Sequence, residues 1–154
     1  MQIAEVMTPG PITCQPDTTV AEAARLMWEG DCGVLPVVNG RTLQGVVTDR
    51  DLFIALATRD AKASQLTVGA VAIASPITCA PRDDVHQAMG KMKTHRVRRL
   101  PVVDKDGTLV GIVSMNDLVL AIAPETPLGG KVVDTLQTIS EHPLPVPVAK
   151  MAAV

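Results

Sequence analysis

The chain has 154 residues and a formal net charge of −2, and 47% of its residues are hydrophobic, with one tryptophan, one phenylalanine and no tyrosine. This composition predicts a globular protein, and the weak charge excludes a strong global field for nucleic acid or an anionic membrane. Its apolar runs are too short to cross a bilayer, and no basic region precedes an apolar one near the N-terminus, so we expect neither a membrane span nor a signal peptide. Three cysteines without a CxxC pair favour reduced thiols and a cytoplasmic protein.

The first predicted elements are a short strand and a helix. The letters PIT (11–13) begin a β-run. The helix that follows has apolar residues at i, i+3, i+4 and i+7, and these are Val20, Ala23, Ala24 and Met27. Thr19 and Glu22 are spaced as a capping box at its start.

Two strands and a second helix complete the first half. LPVV (35–38) and GVV (45–47) are β-branched runs, and the Asn39–Gly40 pair between them predicts a hairpin turn. The second helix begins at the hydroxyl residue of GVVTDRDL, and its apolar face consists of Leu52, Ala55 and Leu56.

The same order of elements is written twice. PITC recurs 65 residues later, as does LPVV, and GVVTDRDL (45–52) recurs 66 residues later as GIVSMNDL (111–118). Each unit is therefore β-α-β-β-α. One unit alone would expose much of its apolar surface, so we expect the two to pack about a pseudo-two-fold axis in an α/β (α+β) fold.

These boundaries predict a first repeat over residues 1–60, a second over 68–123 and a tail over 124–154. The tail does not repeat. Residues 131–141 are predicted to form a short helix, whose apolar side is Val132, Val133, Leu136 and Ile139. His142 opens a segment interrupted by proline.

The repeated pattern Thr/Ser-x-x-Asp has two interpretations. Thr48 with Asp51 fits a capping box, in which the hydroxyl accepts from an orphan N–H and the carboxylate faces the positive end of the helix. A carboxylate between a strand and a helix N-terminus is also well placed to accept hydrogen bonds from a ribose diol. The two roles are compatible, because a cap needs only one oxygen.

The two repeats resemble a pair of cystathionine β-synthase (CBS) domains, the tandem called a Bateman module. The resemblance rests on MTPGPIT, LPVVNG and GVVTDRDL in the first repeat and on SPITCAP, RRLPVVDKDG and GIVSMNDL in the second. It covers about residues 3–123. The second repeat departs from the pattern before Pro76, where AIAS replaces the Met7–Thr8 pair.

The resemblance implies two sites for adenosine-containing ligands such as AMP, ADP, ATP or S-adenosylmethionine, each in a cleft between the repeats. The aspartate of one repeat would bind the ribose, and the first strand and the residues before LPVV of the other repeat would bind adenine and phosphate. The first site would consist of Val46, Thr48, Asp51, Pro76, Ile77, Thr78, Val97, Arg98 and Arg99. The second would consist of Ile112, Ser114, Asp117, Ile12, Thr13, Cys32, Gly33 and Val34.

Charge distinguishes the two implied sites. Arg98 and Arg99 suit a phosphate at the first, whereas Gly33 and Val34 take the same places at the second. We therefore expect the phosphorylated ligand at the first site. The basic residues from 91 to 99 also suggest a nucleic-acid patch, but alternate strand residues face opposite ways and no aromatic is present to stack on bases.

The sequence predicts a non-catalytic regulatory sensor and, following the resemblance, a homodimer that acts on an unidentified regulated protein. A ligand-free dimerisation scaffold is the alternative. We expect no enzyme, no catalytic cofactor and no metal site, because no nucleophile is paired with a base and His86, His95 and His142 have no metal-ligand spacing.

Overall fold

A computed structural model describes residues 1–141 of the chain. His142 and the rest of the predicted tail, residues 142–154, lie outside the described residues. Within residues 1–141 the six strands are β1 (Thr8–Pro9), β2 (Val34–Asn39), β3 (Thr42–Thr48), β4 (Ile73–Ala74), β5 (Arg99–Val103) and β6 (Leu109–Ser114). The five α-helices are α1 (Val20–Glu29), α2 (Asp49–Arg59), α3 (Val85–His95), α4 (Met115–Ala121) and α5 (Pro127–Ser140).

The strands form two antiparallel three-stranded sheets, in the orders β2-β3-β4 and β1-β6-β5. Each sheet therefore receives its short edge strand from the other half of the chain. Thr8 of β1 pairs with Ile112 of β6, and Ile73 of β4 pairs with Val46 of β3. The predicted α/β (α+β) class is confirmed, and the exchange of edge strands links the two repeats.

The first strand of each repeat lies earlier in the chain than the PIT segments (11–13 and 76–78), where it was predicted. The residues directly after these segments, Cys14 and Cys79, form only single parallel bridges, to Val37 and Val102. Proline has no backbone N–H to donate to a ladder, so the PIT segments cross between the sheets instead of joining one. The AIAS segment forms β4 in the place that corresponds to β1, although its letters differ.

The hairpin turns of the two sheets meet near the pseudo-two-fold axis. The Leu43 N–H donates to the Gly107 carbonyl at 3.1 Å, and the Leu109 N–H donates to the Arg41 carbonyl at 2.9 Å. Because β3 and β6 start from this contact and run in opposite directions, the turns that follow them lie at opposite ends of the molecule.

Glycine at positions 45 and 111 allows the edge strands β4 and β1 to pack closely against β3 and β6. A Cβ on Gly45 would lie 2.7 Å from the carbonyl oxygen of Ile73, and a Cβ on Gly111 would lie 2.7 Å from the sulfur of Met7 and 3.0 Å from the carbonyl oxygen of Thr8. The glycine that opens each repeated phrase is therefore required by the close passage of a strand from the other repeat.

Each repeat has its own hydrophobic core, and each core includes a residue from the other side of the exchange. Ile3 is fully buried in the core of the second repeat, together with Leu100 and Leu118. Val68 is fully buried in the core of the first repeat, beside Leu35. These buried aliphatic side chains anchor the exchanged segments through the hydrophobic effect.

Helix α5 begins earlier than predicted. Pro127 occupies the first turn, where its missing N–H costs nothing, and the Thr126 hydroxyl accepts from the Gly129 N–H. The helix packs against α3 and α4, where it buries Val132 and Ile139. Val133 is 53% exposed, so its predicted place on the apolar side was wrong.

Two of the three cysteines are core residues. Burial raises the pKa of the Cys14 thiol and of the Cys79 thiol to about 11. Neither side chain therefore forms an appreciable thiolate near neutral pH, whereas Cys32 is half-buried. Over residues 1–141, no helix is both long and apolar enough to span a membrane.

Replacing Gly45 with alanine is expected to destabilise the protein by about 1–3 kcal/mol, because the new methyl group would meet backbone that cannot rotate away. Gly90→Ala is the matched control. Gly90 lies inside α3 with nothing within 4 Å of its Cβ position, so alanine there is expected to stabilise by about 0.5–1 kcal/mol. Urea unfolding measures both, and equal stability of Gly45→Ala and the parent would contradict the close passage.

The folded protein is expected to expose one reactive thiol at pH 8. A chromogenic disulfide reagent should label Cys32 rapidly, while Cys14 and Cys79 remain protonated and shielded. All three should react in urea. Rapid labelling of two or more thiols before unfolding would show that the core around Cys14 or Cys79 is not closed.

Candidate functional site

The first repeated phrase folds into a strand, a cap and a helix. Thr48 ends β3 in extended conformation and caps α2: its hydroxyl accepts from the Asp51 N–H at 3.2 Å. In return, Asp51 Oδ2 accepts from the Thr48 N–H at 3.0 Å and from the Thr48 hydroxyl at 2.6 Å. The predicted capping box is confirmed.

The second phrase folds in the same way. Ser114 accepts from the Asp117 N–H at 3.3 Å, and Asp117 Oδ2 accepts from the Ser114 N–H and hydroxyl, both at 2.7 Å. In both repeats these bonds use one carboxylate oxygen, Oδ2, and none of them uses Oδ1. The aspartate is therefore held in one orientation by its cap, with a second oxygen that can still accept hydrogen bonds.

A crossing segment leads from each edge strand to the sheet of its own repeat. The first runs from Thr8, which pairs with Ile112 of β6, to Cys14, whose N–H donates to the Pro36 carbonyl at 3.1 Å. Residues 9–13 therefore pass from the edge of β6 to the edge of β2. Ile12 and Thr13, two residues of the second implied site, lie on this path.

The side chain of Ile12 packs against the end of α1. Its Cδ1 occupies the place where Gly30 would carry a Cβ, and Cys32 Sγ lies 3.5 Å from the same place. Ile12 and Cys32 are thus brought together at the end of α1. Gly33 and Val34 follow directly, at the start of β2.

The second crossing segment repeats this path. It leaves β3 at Ile73, which pairs with Val46, and reaches β5 at Cys79, whose N–H donates to the Pro101 carbonyl at 3.1 Å. Residues 75–78 therefore pass from the edge of β3 to the edge of β5. Pro76, Ile77 and Thr78 lie on this segment, and Val97, Arg98 and Arg99 lie where β5 begins.

The backbone register also places the residues before LPVV beside the turn of their own repeat. Arg99 pairs with Ser114 in the sheet, and Val34 pairs with Thr48. Assigning Arg98 and Arg99 to Asp51 across the crossing segment therefore stays a prediction of the resemblance.

Lys91 was not predicted as a site residue, yet it fixes the second crossing segment. Its ammonium donates to the Thr78 carbonyl at 2.9 Å and to Asp83 Oδ2 at 3.1 Å. Burial pushes the pKa of Asp83 up, but hydrogen bonds from the Ala80 N–H and from Lys91 outweigh it and hold this pKa below its usual range. The sequence places Lys91 on an amphipathic helix, and this pattern does not indicate the contacts of Lys91 with Thr78 and Asp83.

The surface has two open cavities near these segments. One has a volume of about 830 Å³ and is lined by Thr78 of the second crossing segment, by Asp83 and Lys91, and by the turn at Asp104. The other, of about 550 Å³, lies between α1 and α2, and Cys32 and Gly33 form part of its wall. Within residues 1–141 no group of three His, Cys, Asp or Glu side chains converges as metal ligands do.

Comparison with known proteins places this geometry in a family. The sequence profile of the CBS domain matches residues 3–58 and 68–124. The CBS domain-containing protein YhcV of Bacillus subtilis (strain 168) is 35% identical over 116 residues, which are 75% of this chain and 81% of that protein.

Solved structures agree in fold. A CBS domain protein from Pyrobaculum aerophilum complexed with AMP is 28% identical, with a TM-score of 0.74, over 87% of this chain and 99% of that one. A CBS domain pair in complex with 5′-methylthioadenosine and S-adenosyl-L-methionine is 26% identical, with a TM-score of 0.71, over 78% of this chain and 98% of that one. The match of both repeats to the profile, together with these two folds, shows that the chain belongs to the CBS domain family.

Proposed function

We propose that this protein is a non-catalytic regulatory module that binds adenosine-containing ligands in two clefts between its repeats. The observation that carries the proposal is an arrangement built twice: an aspartate held by its cap through Oδ2, at the end of a strand that pairs with an edge strand from the other repeat. A helix cap uses only one oxygen of each carboxylate, and the second oxygen can still accept hydrogen bonds from a ligand.

In the first cleft, Asp51 would accept hydrogen bonds from the ribose through Oδ1. The cap already fixes the carboxylate, so binding the diol requires little further ordering of this side chain. Val46 at the end of β3 and the crossing residues Pro76 and Ile77 would enclose the adenine. The chain contains only two aromatic residues, so aliphatic side chains and backbone must supply this contact.

Arg98 and Arg99 would bind the phosphates of the ligand in the first cleft. A guanidinium forms paired, charge-assisted hydrogen bonds to phosphate, which are stronger than those between neutral groups. The corresponding residues of the second cleft, Gly33 and Val34, offer no charge. The phosphorylated ligand would therefore prefer the first cleft.

The complexes of related CBS pairs with AMP, with 5′-methylthioadenosine and with S-adenosyl-L-methionine support this ligand class. Because each cleft takes residues from both repeats, a bound ligand would bridge them and favour one arrangement over others. Such a difference in affinity between two arrangements is what regulation of a partner protein requires.

The module would act as a homodimer. Phe53 and Ile54 on α2 and Val119 and Leu120 on α4 are exposed, and Trp28 is 87% exposed on α1. Exposed apolar side chains of this size favour burial against a second copy. A ligand-free dimerisation scaffold is the second candidate, and the completeness of both capping boxes favours it, since the motif then needs no ligand.

Titration calorimetry with AMP, ADP, ATP and S-adenosylmethionine tests the ligand proposal. We expect saturable binding of AMP that weakens roughly tenfold or more in Asp51→Asn, because the amide keeps an acceptor for the cap but replaces the second oxygen with a donor. Arg98→Ala with Arg99→Ala should weaken AMP similarly, whereas Asp117→Asn, its counterpart in the second cleft, should leave this site unchanged. Absence of binding for all four compounds would favour the scaffold.

Small-angle scattering tests the homodimer. The expected mass is twice the chain mass of 16.2 kDa. Phe53→Ser, which removes a side chain that is 72% exposed, should shift the protein towards the monomer. Ile73→Ser is the control, because Ile73 is also an exposed apolar residue but lies on β4 and not on a helix. A monomer at all concentrations would refute the proposal.

A further inference from the structure

A third helix covers the helix pair of the second repeat. α5 packs against α3 and α4 and buries Val132 in their core. The charges of α5 complement those of the surface beneath it, since Asp134 pairs with Lys93 at 2.7 Å. At the end of the helix, Glu141 lies 3.6 Å from Arg96. The structure therefore shows how such a pair is covered in this fold, by an amphipathic helix of opposite charge.

The corresponding helix pair of the first repeat is open. Among residues 1–141, no other helix packs against α1 and α2 as α5 packs against α3 and α4. The cavity of about 550 Å³ between them, which we call the α1–α2 groove, has mostly apolar walls that include Val20, Met27, Leu52 and Leu56. The same two-helix surface is thus covered in one repeat and open in the other.

Small and aromatic residues distinguish the α1–α2 groove from its counterpart. Ala24 is an exposed residue of its wall, whereas the corresponding Met89 is 3% exposed in the core that includes α5. The one tryptophan and the one phenylalanine of the chain, Trp28 and Phe53, both line the groove, and they are 87% and 72% exposed. Exposed aromatic side chains beside an apolar groove are typical of a protein interface, where such residues supply much of the binding energy.

The charge at the end of the α1–α2 groove is opposite to that in the second repeat. Asp31 and Asp49 supply the charge of its wall, where α1 ends and α2 begins. The Asp49 carboxylate lies over Gly33, with its Oδ2 3.0 Å from the place where Gly33 would carry a Cβ. Asp31 corresponds to Arg96, and both have left-handed backbone, with φ of 46° and 52°. An occupant would therefore meet anions where α5 meets a cation.

A second copy of the chain does not match this groove. If another α5 lay on α1 and α2 as α5 lies on α3 and α4, it would bring Glu141 to Asp31, and like charges repel. The proposed homodimer does not need the groove either. Ile54, Val119 and Leu120 are exposed but do not line it, so a second copy can pack against them and leave the groove open.

We propose that the α1–α2 groove docks an amphipathic helix of a partner protein, and that this helix carries a lysine or arginine beside its apolar side. The apolar side would pack against Trp28, Phe53 and Leu56. The basic residue would meet Asp31 and Asp49. α1 and α2 have 10 and 11 residues, so about three turns of the partner helix would be in contact. The groove lies within the first repeat, so this inference goes beyond the proposed function and does not depend on ligand binding.

Two synthetic peptides test the inference on the full chain. Both have the sequence of residues 126–141 with both glycines replaced by alanine, to favour the helix, and with Asp134→Leu, to place an apolar residue against Trp28. One peptide keeps Glu141, and the other carries Glu141→Lys. Trp28 is the one tryptophan of the chain and the peptides have none, so its fluorescence reports binding.

We expect the lysine peptide to shift the emission of Trp28 to shorter wavelength in a saturable way, because the indole leaves water. It should bind roughly fivefold more tightly than the glutamate peptide, since an ion pair with the groove replaces repulsion. This difference should shrink at high salt.

Variants of the full chain locate the contact. Asp31→Asn should bring the two peptides to within about twofold of each other. Asp60→Asn is the matched control, because Asp60 also follows a helix with φ of 46° but does not line the groove. Ala24→Glu should weaken both peptides roughly tenfold or more, because it places a charge under their apolar side. Ala121→Glu makes the same change at an exposed position of α4 and should leave both affinities unchanged.

The inference is overturned if neither peptide shifts the emission of Trp28, or if both bind with equal affinity. It is also overturned if the free chain already shows the emission of a buried indole. Such an emission that reverts on dilution would assign the groove to a second copy, and one that persists at all concentrations would assign it to residues 142–154. None of these outcomes bears on the ligand titrations, which test the proposed function separately.

Discussion

The exchange of edge strands is the constraint on which the rest of the structure depends. Neither repeat completes its sheet alone, because β4 closes the sheet of the first repeat and β1 that of the second. The exchange needs glycine at Gly45 and Gly111, where any side chain would meet the passing strand. It also makes the two cores interdependent, since Ile3 and Val68 are fully buried. Two repeats that exchange strands in this way each pair an edge strand of the other with the strand that leads into their own capped turn.

The cap of each turn stabilises a helix and also fixes the orientation of the aspartate carboxylate. Asp51 stabilises α2 by accepting from Thr48 through one oxygen, and the same bonds fix the orientation of the other. A carboxylate that is ordered by folding loses little side-chain entropy when a ligand arrives. A cap and a ribose acceptor therefore need not compete, so under the proposed function the same residues would serve both purposes in each repeat.

The sequence predicted those parts of the fold that depend on local periodicity. The four repeat helices, the two hairpins and the capping boxes of α2 and α4 follow from spacing within about ten residues. The capping box predicted at the start of α1 is only half formed, because Thr19 accepts from the Glu22 N–H while the Glu22 carboxylate pairs with Arg25. The sheet that each edge strand joins was not predicted, because β1 and β4 have two residues each and carry no alternating pattern. The position of Asp49 was missed for a related reason: its carboxylate lies over Gly33 only through the cross-strand register, which a linear spacing does not reveal.

Duplication separates what the fold needs from what differs between the repeats. Val47 and Val113 are both fully buried at corresponding places, because the two cores obey the same packing limits. Trp28 and Lys93 also correspond, yet they differ completely. Lys93 pairs with Asp134 of α5 at 2.7 Å, so this helix covers the second repeat, while Trp28 is exposed beside the open cavity of the first. The difference follows from what each helix faces: α3 faces α5 at Lys93, whereas α1 is open to solvent at Trp28. The surroundings of each repeat, and not its core, therefore set the residue types at such surface positions.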